Sequence, residues 1–170
     1  MMREQLKQAL EILKRAEQNP EDRELFRTAV AQTLAVGVVT TTEAARGMHI
    51  PRPTLERWSS GASAPHHFFR LSVLRWLKEK AEVKLKEPLK KLLATIGRAE
   101  QNTRDDRLFE AVSGKALRAE VVTPREFARK YGMPLSTVER WRSGLSVAHV
   151  ALRPRIYRWL KEKTEATLKQ

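Results

Sequence analysis

The chain has 170 residues, of which 41% are hydrophobic, and it carries no Cys and a formal net charge of +13 at pH 7. The lack of Cys excludes disulfides, thiolate metal ligands and Cys nucleophiles, and it is typical of proteins of the reducing cytoplasm. The apolar content suffices for a packed core, but the apolar runs are too short to span a bilayer. The charge predicts a polyanionic partner, with nucleic acid favoured over a membrane surface.

The amino-acid sequence repeats itself once, with Met1 in register with Lys84. In that register, without a gap, 38 of the 87 paired positions are identical. The matching stretches include RAEQN at 15–19 and 98–102, LERWSSG at 55–61 with VERWRSG at 138–144, and RWLKEK at 75–80 and 158–163. We infer a tandem duplication and predict two domains, 1–84 and 85–170, because each copy is long enough to fold as a small domain.

Apolar residues recur with a helical period in both copies, which predicts an all-α fold of about five helices per copy. In the first copy, Leu6, Leu10 and Leu13 mark a first helix, which we expect to end at Asn19-Pro20. The apolar face of the second helix comprises Leu25, Phe26, Ala29, Val30 and Leu34. Basic last helices are predicted over 66–86 and 154–168, and the join between copies is either one long helix kinked at Pro88 or two helices.

Between these elements, the sequence predicts two short helices joined by a tight turn, from Thr40 to Gly61 and again from Thr123 to Gly144. Each Thr is a candidate N-cap, and the Glu three residues later would complete a capping box. Each Gly is expected to end the second short helix.

In the second copy, the spacing of Ala128, Gly132 and Val138 explains how such a pair would pack. Ala128 allows a close approach of the two helices, and Gly132 tolerates the positive φ of the turn. Val138 and Trp141 would face inward. This pattern resembles the helix-turn-helix of the phage- and plasmid-repressor family (Cro/repressor-like), closely over 40–61 in the first copy and 123–144 in the second. The resemblance implies that the second helix of each pair enters the major groove of DNA.

The resemblance also assigns residues to the DNA contact. The groove-facing positions are Arg52, Pro53, Glu56 and Arg57 in the first copy, and Leu135, Ser136, Glu139 and Arg140 in the second. Arg57 and Arg140 are the best candidates for bidentate contacts to guanine, and Glu56 and Glu139 would accept from cytosine, orient the Arg or form a surface pair with it. The predicted phosphate contacts are Thr54, Ser59, Thr137 and Arg142.

The first copy departs from this pattern at two positions. His49 replaces the turn Gly, so we expect either that the turn differs or that His49 avoids positive φ. Pro53 replaces Ser136 and is tolerable in the first turn of a helix. The net charge is also unequal, at +3 for residues 1–83 and +10 for residues 84–170. We therefore expect two related but unequal DNA half-sites.

Other recurring residues have structural explanations. Trp58, Trp76, Trp141 and Trp159 are expected in the core, because they recur at helical spacing. His66 and His149 are expected to cap a helix or contact phosphate rather than bind metal. Lys78, Lys80, Lys161 and Lys163 are either solvated or part of the DNA surface. The sequence contains no phosphate-binding Gly-rich loop or catalytic motif, so we expect no enzyme activity, cofactor or metal.

Together these features predict sequence-specific binding of double-stranded DNA by a bacterial, plasmid or phage transcriptional regulator, with repression favoured because we recognise no effector-sensing domain. The alternative is a structural DNA-binding factor in plasmid partition, conjugative transfer, replication or recombination. A protein-interaction or membrane-surface module is a third hypothesis. We expect no membrane association and a cytoplasmic, nucleoid-associated location, and a homodimer is compatible with the sequence.

Overall fold

A computed structural model describes residues 2–169, and this part of the chain contains nine α-helices, one short 3₁₀ segment and no strand. The helices are α1 (Met2–Gln18), α2 (Arg23–Ala35), α3 (Thr41–Gly47), α4 (Arg52–Ser60), α5 (His67–Gln101), α6 (Asp106–Arg118), α7 (Pro124–Tyr131), α8 (Leu135–Arg142) and α9 (Arg153–Leu168). The predicted all-α class is confirmed. The chain divides into two compact units between Leu85 and Lys86, here called the first and second units.

The number of helices is one fewer than five per copy would give, because α5 belongs to both units. The prediction that the last helix of the first copy ends near residue 86 is wrong. Of the two alternatives for the join, one long helix that contains Pro88 is confirmed. A proline inside a helix costs about 3 kcal/mol. Side chains on both sides of it offset this cost, since Leu85 packs against the first core and Leu89 lies within the second.

The core of each unit contains a tryptophan packed edge-on against a phenylalanine. In the first unit, the ring centroids of Trp58 and Phe26 lie 6.1 Å apart, and in the second unit Trp141 and Phe109 lie 5.3 Å apart. Trp159 is also buried, as expected for core packing. Trp76 is only half-buried, and its indole lies where a Cβ on Gly47 would clash.

Several lysines of the RWLKEK segments are held by ion pairs and contacts within their own unit. Lys78 pairs with Glu17 on α1, which also accepts from Arg75 at 3.1 Å. At the matching positions of the second unit, Lys161 lies 3.4 Å from Glu100. These pairs fasten the RWLKEK segments to the helical residues that carry the RAEQN motif.

Each unit also buries one arginine that the sequence analysis did not single out. In the first unit it is Arg70 on α5, which is 4% exposed. Its Nε donates to the carbonyl of Pro65 at 2.8 Å, and its Nη1 donates to those of Pro20 (3.0 Å) and Glu21 (2.9 Å). The guanidinium lies 5.8 Å from the centroid of the Phe26 ring. Arg70 therefore joins the loop between α1 and α2 to the segment that precedes α5.

The second unit repeats this arrangement at the matching position of the repeat. Arg153, at the start of α9, is 2% exposed and donates from Nε to the carbonyl of Ala148 at 2.8 Å and from Nη1 to that of Thr103 at 3.0 Å. Its guanidinium lies 5.4 Å from the Phe109 ring, and it also pairs with Asp106. The carboxylate is the difference between the units, because an arginine occupies the position that matches Asp106 in the first unit.

We expect Arg70→Met to lower the free energy of unfolding of the first unit by about 3 kcal/mol, because it removes the charge-assisted hydrogen bonds that a buried guanidinium donates to three carbonyl groups. The control is Arg75→Met, whose exposed ion pair predicts a loss below about 1 kcal/mol. Urea unfolding of the full chain measures both. A loss for Arg70→Met no larger than that of the control would contradict the structural role.

Candidate nucleic-acid interface

The first helix pair, α3 and α4, is delimited by the residues that the sequence predicted. The Thr40 side chain accepts from the backbone N–H of Glu43 at 3.1 Å, and the Glu43 carboxylate accepts from the Thr40 N–H at 2.8 Å. This capping box is confirmed, and the hydrogen bond from the Thr40 backbone holds the pKa of Glu43 below its usual value. Pro53 lies in the first turn of α4, where it is tolerated, and Gly61 follows the helix with φ +84°.

The second helix pair, α7 and α8, begins at the predicted Thr N-cap, but the predicted capping box is not completed because the glutamate has another partner. Thr123 accepts from the Glu126 N–H at 3.1 Å, and Pro124 is the first residue of α7. The Glu126 carboxylate accepts from Lys163 on α9 at 2.7 Å, and this bond holds the pKa of Glu126 below its usual value. The ion pair ties α7 to the last helix of the unit.

The turn inside each helix pair has the same backbone geometry in both units. The φ angle is +54° at His49 and +61° at Gly132. In the first pair the Ile50 N–H donates to the Ala45 carbonyl at 3.0 Å, and the matching bond of the second pair is also 3.0 Å. The expectation that this turn would differ, or that His49 would avoid positive φ, is therefore wrong. The exposed His49 accepts a left-handed conformation because the surrounding hydrogen bonds fix the turn.

One side of α4 and α8 is buried as predicted. Leu55 and Val138 are fully buried, and the next residues on the same face, Trp58 and Trp141, are nearly so. Ala128, which was expected to allow close helix packing, is buried as well. This face fixes the orientation of each helix on its core, so the opposite face points to solvent.

The predicted base-contacting residues lie on that opposite face. Exposed side chains belong to Arg52, Pro53, Glu56 and Arg57 on α4 and to Leu135, Ser136, Glu139 and Arg140 on α8. Among the predicted phosphate contacts, Arg142 is exposed, whereas Thr54, Ser59 and Thr137 are half-buried. The hydroxyl of Ser59 donates to the Glu56 carbonyl at 3.0 Å, so its hydrogen is already engaged.

On α4, the glutamate pairs with a different arginine from the one expected. Glu56 accepts from Nε of Arg52 at 2.8 Å, one helical turn earlier, rather than pairing with Arg57. Within residues 2–169 the side chain of Arg57 makes no ion pair or hydrogen bond. Its guanidinium is free to bind a ligand.

On α8, the glutamate again pairs with another arginine. Glu139 lies 3.4 Å from Nη1 of Arg142, and position 135 offers it no arginine because it holds a leucine. Arg140 has no side-chain partner in the described part of the chain. In neither helix does the glutamate orient the expected arginine, because a guanidinium about one turn away, earlier in α4 and later in α8, binds it instead. A contact of either glutamate with cytosine stays a prediction.

An exposed aromatic group lies before and at the start of α5, and it was not predicted from the sequence. The rings of His66, His67 and Phe68 lie with centroids 4.1–5.3 Å apart, and Phe68 is 71% exposed. Phe69 packs edge-on against Trp58 at 5.9 Å. The consecutive letters HHFF were the available signal. In the second unit, His149 matches His66. Its side chain accepts from the N–H of Ala151 at 3.3 Å and caps the 3₁₀ segment Val150–Leu152, which confirms the predicted capping role there.

A basic cavity near the second helix pair was also not predicted. Lys130, Tyr131, Arg155, Arg158, Trp159 and Glu162 line it. The Tyr131 hydroxyl donates to the Arg155 carbonyl at 3.1 Å, and burial raises the pKa of this phenol to about 12. Three of the six lining residues are cationic, so the surface formed by α7 and α9 is strongly positive.

Among residues 2–169, no cluster of three or more His, Asp or Glu side chains could hold a metal ion, and none of the helices has the length and apolar content needed to cross a bilayer. Comparisons of the chain with protein-family models, curated proteins and solved structures find no match.

We expect His49→Gly to raise the free energy of unfolding by about 1 kcal/mol, because glycine removes the cost of a left-handed conformation. Gly132→Ala should lower it by about the same amount, and the strain is purely conformational since the added Cβ meets no atom within 4 Å. Gly97→Ala is the control, because Gly97 lies in α5 at ordinary helical φ with equally open space. The control should be stabilising. A change in the free energy of unfolding of the same sign for Gly132→Ala and Gly97→Ala would contradict this account.

The Glu126–Lys163 pair should make the stability of the second unit depend on pH. Because the pKa of Glu126 is lower when folded than its ordinary value near 4.5, its stabilisation is complete above that value and is lost as the pH falls through the folded pKa. Glu126→Gln should therefore reduce the drop in melting temperature between about pH 6 and about pH 3. Lys163→Met should have the same effect, and the double variant should add nothing. An undiminished drop in both single variants would contradict the assignment.

Proposed function

We propose that the chain is a sequence-specific double-stranded DNA-binding protein, most simply a transcriptional repressor, in which α4 and α8 are two reader helices of the helix-turn-helix type. The observation that carries the proposal is the state of Arg57 and Arg140. Each is exposed, lacks a side-chain partner among residues 2–169 and occupies the same position of a helix whose other face is buried. A guanidinium in that state can contact a base without first breaking an ion pair.

The chemistry of the major groove favours this use of the two arginines. Guanine presents N7 and O6 as adjacent acceptors there, and the planar fork of arginine matches both. An α-helix fits into the groove, and its exposed side chains then lie against the base edges. The exposed length of α4 and α8 supplies such a face, and the buried Leu55 and Val138 support it from behind.

The net positive charge supports a polyanionic partner, and its uneven distribution supports unequal contributions of the two units to binding. The second unit carries most of the excess positive charge, +9 for residues 86–170 against +4 for residues 1–85. Cations near phosphate release condensed counterions, so binding should weaken steeply as salt rises. We propose that the second unit supplies most of this attraction, and that the DNA carries two related but non-identical half-sites. Two linked readers gain affinity through effective concentration.

Selection from a random duplex library at about 150 mM salt, followed by footprinting, tests the proposal. Two related half-sites at a fixed spacing would support two readers in one chain. Binding without sequence preference, cooperative along the duplex, would instead favour a structural DNA-binding factor of partition, transfer, replication or recombination. A chain that fails to bind DNA at low salt would contradict both.

We expect Arg140→Ala to relax the preference at one base pair of the selected site and to weaken binding by about 1–3 kcal/mol. The control is Arg158→Ala on α9, which removes the same charge from an exposed arginine without a side-chain partner among residues 2–169 but should weaken all sequences alike. Competition between the selected duplex and single-base variants measures both. An unchanged preference at every position in Arg140→Ala would remove this residue from the reading face.

A further inference from the structure

The first residue of each reader helix differs in chemistry between the units although its backbone setting is the same. Arg52 begins α4 and Leu135 begins α8, and each follows a proline with extended backbone, Pro51 (φ −62°, ψ 137°) and Pro134 (φ −60°, ψ 141°). The two side chains therefore leave equivalent positions at the start of their helices. Any difference between the ligands of Arg52 and Leu135 therefore comes from the side chains and not from the backbone geometry at the start of the helix.

In the first unit, the ion pair prepares Arg52 for a bidentate contact. Glu56 accepts from Nε at 2.8 Å, and both side chains are exposed. Bonding through Nε fixes the guanidinium plane and leaves its two Nη amino groups for a ligand, since no other atom among residues 2–169 bonds them. Two parallel N–H donors held in this way match the N7 and O6 acceptors of guanine.

In the second unit, the same position can make only an apolar contact. Leu135 is 41% exposed. Without an arginine one turn earlier, Glu139 turns to Arg142. In the major groove, the apolar feature that an aliphatic side chain can cover is the C5-methyl group of thymine.

We propose that this position makes the two half-sites unequal: Arg52 selects guanine, and Leu135 selects thymine through its methyl group. The inference rests on the proposed function of α4 and α8, and it names the bases that they distinguish. Arg57 and Arg140 occupy matching positions of the two helices and serve both half-sites alike.

The test exchanges the two residues. Leu135→Arg should change the selected base of the second half-site from thymine to guanine, because Glu139 lies four residues later and can hold the new guanidinium as Glu56 holds Arg52. Arg52→Leu should make the opposite change in the first half-site. The measurement is selection from a random duplex library with each variant, after thermal melting has established that the variant is folded.

A second measurement tests the methyl contact directly. Replacing the thymine opposite Leu135 by deoxyuridine removes only the methyl group, and it should weaken wild-type binding about fourfold, which corresponds to the ~0.8 kcal/mol of one buried carbon group. Leu135→Ala should bind the two duplexes almost equally. This arm remains informative if Leu135→Arg does not fold.

The outcomes separate the inference from the proposed function. The inference would be overturned if the selected bases respond neither to the exchange of residues 52 and 135 nor to deoxyuridine. The proposed function would still stand if Arg57→Ala and Arg140→Ala weaken the base preference of the half-sites. A folded wild-type chain that selects no sequence would overturn the proposed function, and the inference with it.

Discussion

A buried guanidinium organises each unit. Arg70 and Arg153 donate to carbonyl groups in two separate loops and lie over a phenylalanine ring, Phe26 in the first unit. Burying a charged group costs a large solvation free energy. In both units this cost is offset because the N–H donors of the guanidinium are matched by carbonyl acceptors. Trp58, the last inward-facing residue of α4, also packs against the Phe26 ring. The orientation of α4 therefore depends on a contact made far from its exposed face.

This arrangement separates the residues that hold the helices from those that meet the solvent. The left-handed turn and the inward tryptophan are the same in both units, even where His49 must adopt a conformation better suited to glycine. The outward residues differ, most clearly Arg52 against Leu135. A fixed support with a variable face allows one fold to present two different chemical surfaces.

Periodicity and capping rules predicted the helices, the inward faces of α4 and α8, and the capping box at Thr40, because these depend on neighbours within about one helical turn. They did not predict the burial of Arg70, since arginine is ordinarily exposed and its partners lie in distant loops. The recurrence of that arginine as Arg153, at the matching position of the repeat, was the only signal. Pro88 left the join open between one long helix and two, because a local helix breaker does not show whether packing on both sides keeps the helix continuous. The partner of Glu56 depends on side-chain rotamers, which the sequence does not encode locally. The use of the exposed faces stays a prediction.

The long separation between Arg70 and its acceptors has a consequence for the order in which the chain folds. The carbonyl of Pro20 and the guanidinium that binds it are 50 residues apart. We expect a contact of such separation to form late, because bringing the two residues together costs loop-closure entropy. During synthesis from the N-terminus, α1 to α4 leave the ribosome before Arg70 does. Helix α4 is therefore synthesised before its final support, and the first unit is complete only when α5 has emerged as far as Leu85.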